Sequence, residues 1–152
     1  MAFGDILRSA NFTGDDIADL IEGIGVSGHP LTTATWSPSY SASGSMTYTS
    51  VTTTLAAYVR IGKIIWFSLF ATGTTGGSAS TSLIATLPVT ADATFTSANA
   101  PFACTVADGA SAIGGVAYIG SSTQVYATRY DAANFGTGAS RVMRVSGWYK
   151  ST

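Results

Sequence analysis

A chain of 152 residues, 46% of them hydrophobic, has the length of one domain with a real core. With 10% charged residues and a net charge of −1 it offers no field for non-specific binding to nucleic acid or an anionic membrane. One histidine and one cysteine exclude an intrachain disulfide and a zinc site built on His and Cys ligands, while a mean hydropathy of +0.31 points toward subunit interfaces.

The N-terminal stretch Met1 to Leu7 has neither a basic region nor a long apolar one, and no apolar run approaches the roughly 18 residues of a membrane-crossing helix. Synthesis in the cytoplasm without an export signal is the expectation. Residues 1–30 carry five acids against Arg8, a net of −4, whereas the remainder is +3. Thr13-Gly14-Asp15-Asp16 is a variant capping box, since the Thr13 hydroxyl can accept from the Asp16 N–H and the Asp16 carboxylate can reach back. A short helix should start there and end at Gly23 and Gly25. Phe12 and Ile17 stand at hydrophobic-staple positions, and Ile17, Leu20, Ile21 and Ile24 fall on one stripe. About ten residues make a marginal helix alone in water, so the stripe needs its own domain or another protein as partner. The charge asymmetry favours the second, with Phe3, Ile6, Leu7, Phe12, Ile17, Leu20 and Ile21 as an attachment segment. Residues 1–34 are thus read as an arm and 35–152 as the body. His29, in the linker Gly25 to Leu31, is expected to be solvated.

In the body, SYSASGSMTYTS reads as an entry strand, a bend at Gly44 and a second strand carrying Met46 and Tyr48. The stretch Thr54 to Thr72 organises the rest. Its first run puts Val59 and Ile61 on one face and Tyr58 and Arg60 on the other, the pattern of a half-buried strand. Its second run is apolar on both sides, Ile65, Phe67 and Leu69 against Ile64, Trp66 and Phe70, so it is a central strand or one side meets another chain. Ile65, Trp66, Phe67 and Phe70 are therefore candidates for the core or for an interface with another chain, and Trp66→Ala is expected to damage folding. Gly62-Lys63 between the runs suits a type II′ turn.

Gly73 to Ser80 reads as a flexible loop, Ser82 to Thr86 as a strand stopped by Leu87-Pro88, and the stretch to Asn99 as a meander with a short strand near Thr94. Pro101 to Ala107, Ile113 to Ile119 and Gln124 to Tyr130 are further strands, the last two a hairpin, with a bulge or close approach at Gly114-Gly115. Asp131 to Ser140 reads as a second loose loop, and Arg141 to Tyr149 as the closing strand with Val142 and Trp148 opposite Met143, Val145 and Tyr149. Some eight strands imply an all-β, antiparallel sandwich or jelly-roll-like domain behind a short helical arm.

Chemistry is thin. Asp92, Asp108 and Asp131 sit beside turn signals that account for them, no GxSxG elbow is present, and GTTGGS lacks the lysine and helix of a phosphate cradle. Cys104 reads as a small buried hydrophobe. Tyr118, Tyr126, Tyr130, Trp148 and Tyr149, with Arg129, Arg141 and Arg144 near in sequence, form either a stacking face or parts of core and interface. No catalytic residue, metal ligand or cofactor is expected.

The order Trp36-x-Pro38, Tyr58-x-Arg60-x-Gly62-Lys63-x-x-x-Phe67, Leu87-Pro88 resembles a pattern of small tailed-bacteriophage virion proteins: capsid decoration or cement proteins, head fibres and tail-fibre C-terminal domains. It covers residues 35 to 90. The resemblance implies a homotrimeric β-sandwich, structural rather than catalytic, on the capsid exterior with the major capsid protein as partner. It equally implies a tail-fibre alternative that touches a tail protein and host-surface glycan. Only a short arm precedes Trp36 where a fibre would place a shaft, which favours decoration. A free carbohydrate-binding module is the third expectation.

Overall fold

The computed structural model describes residues 32–152. The expected arm helix, His29 and the seven attachment positions from Phe3 to Ile21 lie outside the described residues. Nine strands, β1 (Thr32–Thr35), β2 (Tyr40–Ala42), β3 (Met46–Ile61), β4 (Ile64–Gly77), β5 (Ser82–Thr86), β6 (Ser97–Asp108), β7 (Ser111–Ser121), β8 (Gln124–Arg129) and β9 (Gly138–Lys150), form one antiparallel sheet. Their order is β1-β3-β4-β9-β6-β7-β8-β5-β2. The described residues are all-β, as the composition implies, with one strand more than the pattern suggested.

The sheet curls. Tyr40 of β2 packs edge-on against Tyr48 of β3 at 5.9 Å between centroids, and its hydroxyl shares a 2.7 Å hydrogen bond with Thr53, although β2 and β3 share no ladder. The inner face then closes around one core: Ile65, Phe67 and Leu69 of β4, Met143, Val145 and Tyr149 of β9, Ile119 of β7, Val125 of β8 and Leu83 of β5 are all buried.

Four residues of the Trp36 to Leu87 pattern, Trp36, Tyr58, Phe67 and Leu87, pack in this core. Trp36 lies edge-on to Tyr58 and to Phe67 at 6.2 and 6.4 Å, and Phe67 also meets Phe102 and Tyr149, both at 5.8 Å. Trp36 Nε1 donates to the Thr86 carbonyl at 3.1 Å, tying the lead-in to β5. Tyr149 Oη donates to the Val89 carbonyl at 2.7 Å, so both polar tips are satisfied as burial requires.

The β3–β4 hairpin turns at Gly62 with φ of +59°, while Lys63 keeps a negative φ, the type II′ arrangement expected. Register then decides which face of β3 is inside. Pairing of Tyr58 with Phe67 and of Val59 with Trp66 points Tyr58 and Arg60 inward and leaves Val59 and Ile61 outside. Ile61 is 48% exposed. Trp66 is on the outer face too, 52% exposed, so its loss is no threat to the core.

Both loops also need correction. β4 runs on through Gly77, its small residues Ala71, Gly73 and Thr75 buried in turn, because a side chain at Gly73 would stand 2.7 Å from Tyr48 Cε2. The stretch 131–137 is held rather than loose: Phe135 is fully buried, and Arg141 donates to the carbonyls of Gly136, Thr137 and Ala139 at 3.1, 3.1 and 2.8 Å. Near Thr94 stands a single 3-10 turn, Ala93–Phe95, in place of a strand. Gly114-Gly115 is a close approach: a Cβ on Gly115 would meet Cys104 Sγ at 2.8 Å.

Candidate assembly surface

The outer face of β3, β4 and β9 is built by parity. Because each strand alternates, filling the inner face leaves the partners outside, and four cross-strand rows read Ile61–Ile64–Lys150, Val59–Trp66–Trp148, Ala57–Ser68–Ser146 and Leu55–Phe70–Arg144. Three rows are dominated by large apolar side chains, with Leu55, Ile61, Trp66 and Trp148 between 43% and 52% exposed. Trp66 and Trp148 lie tilted at 6.3 Å, and Phe95 meets Trp148 edge-on at 5.5 Å. The third row is small. Ser68 and Ser146 share a hydroxyl–hydroxyl hydrogen bond, and their low profile leaves two grooves of about 390 and 420 Å³ on either side. Leu55, Phe70, Thr105 and Arg144 line one, Thr33, Val59 and Trp66 the other.

With strands about 4.8 Å apart and residues rising about 3.4 Å, the patch measures roughly 20 by 14 Å, comparable with the largest apolar patch of an ordinary monomer, which is often functional. Arg144 holds its guanidinium 4.3 Å above the Phe70 ring. It has no ion-pair partner among the described residues.

The expected interface candidates therefore divide. Ile65 and Phe67 belong to the core, Trp66 and Phe70 to the outer face. The aromatic stacking group divides as well. Tyr149 is buried, Trp148 is on the patch just described, and Tyr118 and Tyr126 stack at 5.6 Å on β7 and β8, where Gly120 leaves Tyr126 room. Tyr130 is 71% exposed just past β8.

The three aspartates expected at turns are each tied to a cation. Asp92 accepts from Thr94 N at 2.9 Å and pairs with Lys150 at 3.0 Å; Asp131 pairs with Arg129 at 2.8 Å. Asp108 does more than shape a turn. It receives Arg129 at 2.6 Å and Arg141 at 2.8 Å, clamping β6, β8 and β9 at one end of the core. Hydrogen bonding from Arg129 holds the Asp131 carboxyl down at about 2 against its ordinary 3.8. A depressed carboxylate stabilises above its unfolded pKa, so this contribution should fade as pH falls from 3.8 toward 2. Asp131→Asn is expected to flatten that part of a Tm–pH profile.

Burial pushes the Cys104 thiol up to about 11. At pH 8 about one thiol in a thousand is then ionised, so iodoacetamide should leave the folded protein unmodified and label it only once urea unfolds it. Among the described residues no three His, Cys, Asp or Glu side chains gather as a metal site, and no helix is long and apolar enough to cross a membrane. The chain matches no family model, no curated protein and no solved structure.

Proposed function

We propose that this is a virion structural protein of a tailed bacteriophage, a homotrimeric decoration protein that stabilises the head shell from outside. The outer face of β3, β4 and β9 carries the reading: an apolar patch with two exposed tryptophans at its centre is an assembly surface, which in a closed trimer meets a different part of the neighbouring copy. We read the curled sheet as the closure of a sandwich, stiff enough to present that face. The N-terminal arm fastens the trimer to the major capsid protein, and added buried area at subunit junctions resists shell expansion.

Two measurements test it. Light scattering on the purified protein should give three times the 15.5 kDa chain mass. Densitometry of purified virions should give a copy number near that of the major capsid protein. A copy number far below it would transfer the protein to a tail fibre that contacts host glycan, and absence from the particle would overturn the virion reading.

A further inference from the structure

The outer face of β7 and β8 has a different chemistry from the tryptophan patch. Val125 and Ala127 of β8 and Ala117 and Ile119 of β7 fill the core, so Tyr126, Thr128, Val116, Tyr118 and Gly120 face outward. β8 stands four strands from β4 around one core, and its outer face therefore points away from the Trp66–Trp148 row. Strands β2, β5, β7 and β8 hold a single charged residue, Arg129, whose guanidinium is taken by Asp108 and Asp131.

Tyr126 is laid flat on this face. A Cβ built on Gly120 would meet Tyr126 Cδ1, Cε1 and Cγ at 2.4, 2.5 and 2.8 Å, distances too similar for an edge-on ring. One side of the phenol thus covers the glycine and the other is turned outward. Tyr118 lies beside it at 5.6 Å, tilted by 40°. Tyr130 follows on the same side of the strand, 71% exposed, where its N–H donates to the Gly114 carbonyl at 3.1 Å. A Cβ on Gly114 would meet nothing within 4 Å, so the sheet is open beside Tyr130. From Tyr126 to Tyr130 is roughly 14 Å along the strand. Between them the Thr128 hydroxyl donates to the Val116 carbonyl at 3.0 Å and keeps its lone pairs for an incoming donor, and before Tyr126 the Gln124 carboxamide oxygen is held by Ser121 Oγ at 3.4 Å.

What such a face binds follows from what it holds and lacks. An anionic polymer needs cations, and no cation is free on these strands. An assembly contact needs contiguous apolar area, and Val116, 39% exposed, is the one exposed large aliphatic residue here. A pyranose ring has an apolar C–H side that stacks on a flat phenol and a rim of hydroxyls that pair with threonine and glutamine. We infer that the outer face of β7 and β8 binds a neutral saccharide, one ring stacked on Tyr126 and its neighbours reaching Tyr118 and Tyr130. This goes beyond the assembly reading and does not rest on it.

Native electrophoresis of the full chain through gels cast with dextran, mannan or galactomannan tests it, with heparin as the anionic comparison. At least one neutral polymer should retard the parent protein, and heparin should not. Tyr126→Ala should weaken the retardation about tenfold, and Tyr126→Phe, which keeps the ring, should recover most of it. Gly114→Gln should weaken it as well, and because a side chain there meets nothing in the fold, that loss cannot come from unfolding. Retardation by no neutral polymer, retardation by heparin alone, or equal retardation of the parent and Tyr126→Ala overturns the inference. Light scattering keeps the two readings apart: a retarded monomer refutes the trimer and leaves the saccharide face standing, and an unretarded trimer does the reverse.

Discussion

Phe67→Ala is expected to cost about 3–5 kcal/mol of folding free energy, against about 1 kcal/mol or less for Trp66→Ala, although the two are neighbours on one strand. Phe67 is 4% exposed and touches Trp36, Phe102 and Tyr149 edge-on, so its removal opens a void whose walls belong to four strands and the lead-in and cannot collapse together. Trp66 has solvent on one side and a single tryptophan neighbour. Urea unfolding of both variants as monomers decides the matter. Equal losses would mean that the inner and outer faces have been assigned the wrong way round.

Arg141→Ala should be the costliest charged substitution, about 3 kcal/mol or more. Arg141 is 7% exposed and serves Asp108 together with three carbonyls of the 136–139 turn, and Tyr48 Oη in turn donates to its own carbonyl at 3.0 Å. Truncation leaves the half-buried Asp108 carboxylate with one cation fewer and unties the 136–139 turn from β9. Amide exchange should show the damage as lost protection in residues 131–140, with β7 and β8 spared; uniform loss across the sheet would contradict a local clamp.

The hairpin at Gly62, the strand stop at Pro88 and the alternation of β9 were legible because each rests on a local rule: a positive φ, a missing N–H, a period of two. Which face is inside is not local. Val59 and Ile61 look like the core side of their strand, but register against β4 makes Tyr58 the core residue, and register is settled by a partner strand. Gly73 and Thr75 look like loop for a similar reason, since small residues fill a tight core under Tyr48 as well as they fill a turn. The Asp108 clamp joins residues 108, 129 and 141 through three-dimensional proximity, which no spacing in the chain encodes. The apolar outer face was half legible: a strand apolar on both sides announced that something must cover it, without saying which side would be left over.

The last of the described strands is also an interior one. β9 slots between β4 and β6, so until residues 138–150 have left the ribosome the sheet is split in two, with the most apolar strand of the protein presenting an unpaired edge. Ordering then waits on the contact between Phe67 and Tyr149, which closes a loop of most of the domain, and folding of this kind takes milliseconds to seconds. A translational stall or a premature stop near residue 137 would release a half-sheet that the open edge of another nascent copy can zip against. Because the keystone follows the strands on either side of it, residues 138–150, more than any surface loop, are expected to decide between folded protein and aggregate at high expression.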